Sequence, residues 1–282
     1  MANIQKIIQK IKKLSPIPVV IHKVLNFASK SDGSLDDLVR LVGNDPALTA
    51  NLLKICNSAH MGLPVKVNSV QQAVTMLGIQ KVVEIVLTQT LSVNLQKAQQ
   101  GYGLAKGELW KQSVATAMVA RNLAERRQLP LLPTIYTAAL LKDVGKVVLH
   151  EFVERELKKI EYQVHNKGLS FIEAEQLCIG MDHAMLGGII AEEWNFSDEM
   201  VFMIKHHHLL DPEARKDPAT ATLYLADMVS MMVGTCTGID RLAYKVYEGV
   251  FNDFFLARDE LKALMYTYDG YLTGAQRFLE MA

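Results

Sequence analysis

This sequence predicts an all-α fold, on three observations. Apolar residues recur at helical spacing along almost the whole chain, no run keeps the alternation of a half-buried strand, and helix-start and helix-stop residues punctuate the pattern. Ile4, Ile7, Ile8 and Ile11 announce the first helix, spaced to share one face. Ser34 ahead of Asp37 has the form of a capping box, in which a hydroxyl and a later acid satisfy N–H groups that the helix leaves unpaired. Asp45 followed by Pro46 sets an N-cap before a proline at the first helical position, and Ser170 ahead of Glu173 repeats the capping box. Gly78, Gly145 and Gly168 read as stops, because glycine adopts the left-handed conformation that closes a helix without a steric penalty.

Glycine and glutamine interrupt the apolar period between Leu95 and Gly107, at Gln99, Gln100, Gly101, Gly103 and Gly107, so the chain divides near Gly101. A weaker break falls at Gly234 to Gly238. The expected units are therefore 1–100, 101–235 and a C-terminal helical extension, 236–282, which carries Tyr244, Tyr247, Phe251, Phe254 and Phe255. A length of 282 residues, half of them hydrophobic, suffices for one large core or two that share a boundary. The 30 basic and 30 acidic residues cancel, which leaves no net field to gather nucleic acid or an anionic membrane. Cys56, Cys178 and Cys236 are odd in number and scattered through helical segments, as expected of buried thiols in a reducing cytoplasm. With no apolar run of signal or spanning length, membrane insertion is not expected.

The chemistry-bearing residues fall in the second half: Asp143 after an apolar run, His183, the triplet His206, His207 and His208, and Asp227 among Tyr224, Leu225, Ala226, Met228 and Val229. Imidazoles and carboxylates are the ligands that a divalent transition metal uses. Asp227 is the sharpest signal, since an acid on an apolar helix must find a buried partner. The bland readings are a carboxylate bonded to backbone or arginine, a partly exposed His183 at a helix start, and a triplet of which helical spacing turns one member to the surface. Gly101 and Gly103 neither follow a strand nor precede the lysine and serine of a phosphate loop, and no serine or cysteine sits in a nucleophile motif.

Two segments carry a resemblance to a known family: Asn44–Ala59, reading NDPALTANLLKICNSA, and Val67–Ile79, reading VNSVQQAVTMLGI. Both are similar to signatures of the HDOD family. Leu14–Pro18 (LSPIP) resembles its opening proline turn, and the likeness continues through Trp110, Asp143–Lys146 (DVGK), His183, Trp194–Phe196 and His206–His207. The resemblance implies a bacterial, cytoplasmic signal-transduction output module with an N-terminal helical subdomain and an HD-like bundle, related to metal-dependent HD and HD-GYP phosphohydrolases.

In the enzymes of that wider group, metal is held by a histidine, a His-Asp pair and a later aspartate. Here Gln112 stands where the first histidine belongs, and the pair reads Lys142-Asp143. Asp143 and Asp227 remain, while His183 and His206 or His207 match positions of further ligands in two-metal relatives. A protonated lysine offers no lone pair to a metal. The expectation is a vestigial site of Gln112, Lys142, Asp143, His183, His206, His207 and Asp227, with the Lys142 ammonium paired to both aspartates; the opposing reading has Lys142 reaching solvent.

No cofactor is then expected. The module would act on bacterial signalling proteins or a ligand. The alternatives are a degenerate phosphohydrolase using a divalent transition metal on Asp143, His183, His206, His207 and Asp227, and a non-hydrolysing binder of a phosphorylated small molecule through Lys142 and Lys146.

Overall fold

Periodic apolar faces become fifteen α-helices among the residues that the computed structural model describes, which are 2–11, 19–28, 34–130, 132–233, 238–240, 245–253 and 258–281. The helices are α1 (Ala2–Ile11), α2 (Val19–Ala28), α3 (Leu35–Gly43), α4 (Pro46–Cys56), α5 (Val70–Leu77), α6 (Ile79–Leu95), α7 (Glu108–Arg126) and α8 (Leu132–Leu141). There follow α9 (Lys146–Lys167), α10 (Phe171–Ile179), α11 (His183–Glu193), α12 (Asp198–His206), α13 (Pro218–Met232), α14 (Glu248–Asp253) and α15 (Arg258–Met281). No strand occurs among the described residues, where an isolated bridge between Gln99 and Leu104 is the sole sheet-like pairing. The Leu14–Pro18 turn, Gly234, Cys236, Tyr244, Phe254 and Phe255 lie outside the described residues.

The start signals act through their side chains. Ser34 accepts from the Asp37 N–H, Asp45 from those of Ala47 and Leu48, and Ser170 and Glu173 form the full reciprocal box. Asn57, at the end of α4, clamps the backbone of Val67: its amide donates to the Val67 carbonyl at 2.8 Å, and its Oδ1 accepts from the Val67 N–H at 2.7 Å. The two segments that carry the family likeness are thereby tied to each other.

Gly78 and Gly168 end α5 and α9 with positive φ of 81° and 67°. Gly145 does not: its φ is −59°, and it leads into α9 instead of closing a helix by a left-handed turn. Glycine is needed there for room. A Cβ at Gly145 would lie 2.0 Å from the His183 carbonyl oxygen, so the turn between α8 and α9 is pressed against the start of α11. A Cβ at Gly101 would likewise meet the His150 carbonyl oxygen of α9 at 1.9 Å.

The helices share a continuous core. α7 runs against α8, α13 and α15; α11 packs on α12; α10 and the segment holding Gly101 pack on α9; and α2 to α5 gather beside α6, which reaches α8. Arg121 on α7 grips Glu84 on α6 through both carboxylate oxygens, at 2.5 and 2.6 Å. No single helix among the described residues is long and apolar enough to cross a membrane; α5 and α6 would be so jointly, but they bend by 119° at Gly78. Cys56 is buried and Cys178 half-buried, both as free thiols. Because the Gly101 contact is with backbone, Gly101→Ala must push the chain away from α9; a loss of about 1–3 kcal/mol is expected, read from urea unfolding midpoints.

Candidate functional site

The Lys142–Gly145 turn, held close to α11, carries the centre of the site. Lys142 and Asp143 are each 1% exposed, and Lys142 turns inward. Its ammonium pairs with the neighbouring Asp143 and lies 2.7 Å from Asp227 Oδ1 on α13. Lys146, one helical turn on, places its own ammonium 2.8 Å from Asp143 Oδ1 and 2.6 Å from Asp240 Oδ2, and 5.5 Å from the centre of the Tyr102 ring. Two cations and three carboxylates thus alternate through the interior. Burial alone would discharge Lys142, but Asp143 and Asp227 outweigh it and raise its pKa; Lys146 is raised by Asp143 and Asp240 in the same way. Burial would raise the Asp143 pKa, yet Lys142 and Lys146 hold it well below the usual carboxylate range.

His183 opens α11, whose N-cap is Asp182, and is buried, not partly exposed. Its Nδ1–H donates to Glu175 Oε2 at 2.7 Å, and its backbone N–H reaches the same oxygen at 3.1 Å. Glu175 also accepts from the Tyr102 hydroxyl at 2.5 Å. Burial would lower the His183 pKa, but Glu175 raises it overall; its Nε2 is hydrogen-bonded to His208 Nε2 at 2.8 Å and lies 3.5 Å from Asp143 Oδ1. Burial, then the neighbouring His207 and His183, keep His208 uncharged.

The histidine triplet does not continue a straight helix. α12 ends at His206, and Leu209 takes a left-handed φ of 56°, costly for a branched residue, with its N–H on the His206 carbonyl at 2.8 Å. In this turn His207 and His208 both face His183, and the three imidazoles bring ligand nitrogens within 4.8 Å of one another. His206 points elsewhere, its ring 4.6 Å from Phe202. Gln112, half-buried on α7, makes no hydrogen bond to these groups among the described residues. The structure therefore joins Lys142, Asp143, Lys146, His183, His207 and Asp227, leaves out Gln112 and His206, and adds Tyr102, Glu175, His208 and Asp240. Glu175 had a signal: it shares the helical face of Phe171, Ile172 and Ile179.

A divalent metal of the HD type does not fit this arrangement. The oxygens of Asp143 and Asp227 that would ligate it face ammonium groups at contact distance. The three imidazoles remain as possible ligands, with His183 and His208 already bonded to each other.

Residues 14–210 match the HDOD domain family, and the chain belongs to it. A curated relative, an uncharacterized protein of Treponema pallidum (strain Nichols), is 25% identical over 225 residues, which are 79% of this chain and 43% of the relative. The chain thus spans less than half the length of that relative. An HDOD domain protein of unknown function from Geobacter sulfurreducens has the same fold, with a TM-score of 0.74, 20% identity and coverage of 100% of this chain and 98% of that one. So do a provisionally named signal transduction protein from Marinobacter aquaeolei VT8 (TM-score 0.71, 20% identity, 99% and 65% covered) and a provisionally named phosphohydrolase from Shewanella amazonensis SB2B (0.63, 18%, 98% and 96%).

Lys142→Met removes one cation from between two buried acids, and a loss on the order of 3–5 kcal/mol is expected in denaturant unfolding. The pH dependence follows from the depressed imidazoles, His208 and above all His207, which is fully buried and pushed down to about 3 by burial and then by Lys142. Between the ordinary imidazole value and about 3, the unfolded chain binds a proton at His207 and the folded chain does not, so stability falls on acidification. His183, shifted the other way, is protonated in both states there and adds no slope. His207→Asn should flatten the decline between pH 6.5 and 5 by up to about 1.4 kcal/mol per pH unit, measured as unfolding free energy against pH.

Proposed function

We propose that this chain is a regulatory module that acts by binding signalling partners or a ligand in the bacterial cytoplasm, without catalysis. The observation that carries the reading is the Lys142 ammonium between Asp143 and Asp227. In an HD phosphohydrolase the corresponding carboxylates serve a metal, which polarises substrate and lowers the pKa of water. An ammonium balances the same charges but has no open coordination position, so it can neither bind a phosphoryl oxygen as a Lewis acid nor generate hydroxide at neutral pH.

A second reading, a phosphohydrolase with a reduced metal site, draws on His183, His207 and His208. Elemental analysis separates the two. Protein purified without chelator and then offered manganese, iron or zinc is expected to retain well under one equivalent and to leave a phosphodiester probe intact. One equivalent of metal, lost in His208→Ala together with hydrolysis, would overturn the non-catalytic reading. In the double variant Gln112→His, Lys142→His, metal binding is expected to appear if the remaining ligands keep their places, with dialysed metal content as the readout.

A further inference from the structure

Lys146 is held by two carboxylates of unequal standing. Asp143 is interior and shared with Lys142, whereas Asp240 comes from the segment after α13 and its side chain keeps 18% of its surface in solvent. Along this lysine–carboxylate chain the charges balance without Asp240: Lys142 and Lys146 match Asp143 and Asp227. Asp240 is therefore the surplus acid, the one whose place another anion could take without changing the total.

The surroundings have the form of a closed binding site. Asp240 lines a recess with His183, His208, Phe171 and Lys245 whose free volume is only about 10 Å³, room for roughly one water. Across His208, Ile172 and Leu210, which line both spaces, lies an open cleft of about 190 Å³. Lys205 and His206 stand on its wall, as do Asp182 and Asp211. The cleft has room for a small ligand body, and the recess beside it is lined by Asp240, whose carboxylate sits on Lys146.

We propose that Asp240 is a built-in competitor at an oxyanion-binding site: its carboxylate sits on Lys146 where the anionic group of a small molecule binds, and the ligand enters by displacing it. Lys146 and the Tyr102 ring form the floor of this site, and His208 forms its side. The inference rests on the reading of the site as one that binds without catalysis.

Bound Asp240 lowers apparent affinity in proportion to the time it occupies Lys146. Inorganic phosphate and acetate, titrated calorimetrically at constant ionic strength into the full chain, are expected to bind Asp240→Ala at least about tenfold more tightly than the parent. Phosphate prevailing over acetate would identify a phosphorylated ligand, and the reverse a carboxylate. Adding Lys146→Gln to Asp240→Ala is expected to abolish the gain.

Equal affinity of parent and Asp240→Ala, including no binding by either, would overturn the proposal, as would a gain that survives Lys146→Gln. Should the double variant not fold, the His208 ring resonances of Asp240→Ala decide: they are expected to move with phosphate, and fixed resonances sink the idea. Metal content of the same samples reports separately on the non-catalytic reading. Metal binding with an unchanged Asp240 effect would remove that reading and leave the competitor in place.

Discussion

A charge taken out of water must be met by an opposite charge, and this constraint organises the second half of the molecule. Lys142 is the deepest case. Its ammonium has lost essentially all solvent, and only Asp143 and Asp227 make that tolerable. Because those acids stand on different elements, pairing them with one cation fixes α13 against the α8–α9 turn. The close approach of Gly145 to His183 then sets α11 against the same turn. Three helical elements meet around one ammonium, and the imidazoles follow from where those elements are held.

Much of this was legible in the sequence. Helical periodicity and capping residues gave the fold class, since they depend on neighbours three or four residues away. Asp227 betrayed burial because its flanking residues are apolar all round. Lys142 stood out through the resemblance, by replacing a metal-binding histidine with a side chain that cannot ligate. Gly145 was misread for a simple reason: sequence shows that a residue is glycine, but not whether the missing Cβ serves backbone torsion or helix proximity.

Other parts were not legible because they depend on chain path. Reading the triplet as continuous helix spread His206, His207 and His208 about 100° apart, whereas the left-handed Leu209 ends the helix and turns two of them inward. No local pattern marks a leucine for that conformation. Tyr102 lies in a glycine-rich stretch that reads as a connector, yet its hydroxyl orders Glu175 and its ring faces Lys146. Asp240 has no periodic context at all. Its role arises only because residues 238–240, far from α9 in sequence, lie beside the start of α9.

On the proposed reading, an ammonium where an HD enzyme holds its metal also changes what the site can respond to. A metal with an open position trades ligands readily, and its chemistry follows from that exchange. An ammonium surrounded by carboxylates has fixed partners, and removing either inner acid leaves a buried charge unbalanced. Responsiveness therefore moves to the periphery of the cluster. Lys142, Asp143 and Asp227 hold the architecture, while Asp240, the most exposed acid of the chain of ion pairs, is the one whose release the proposal invokes.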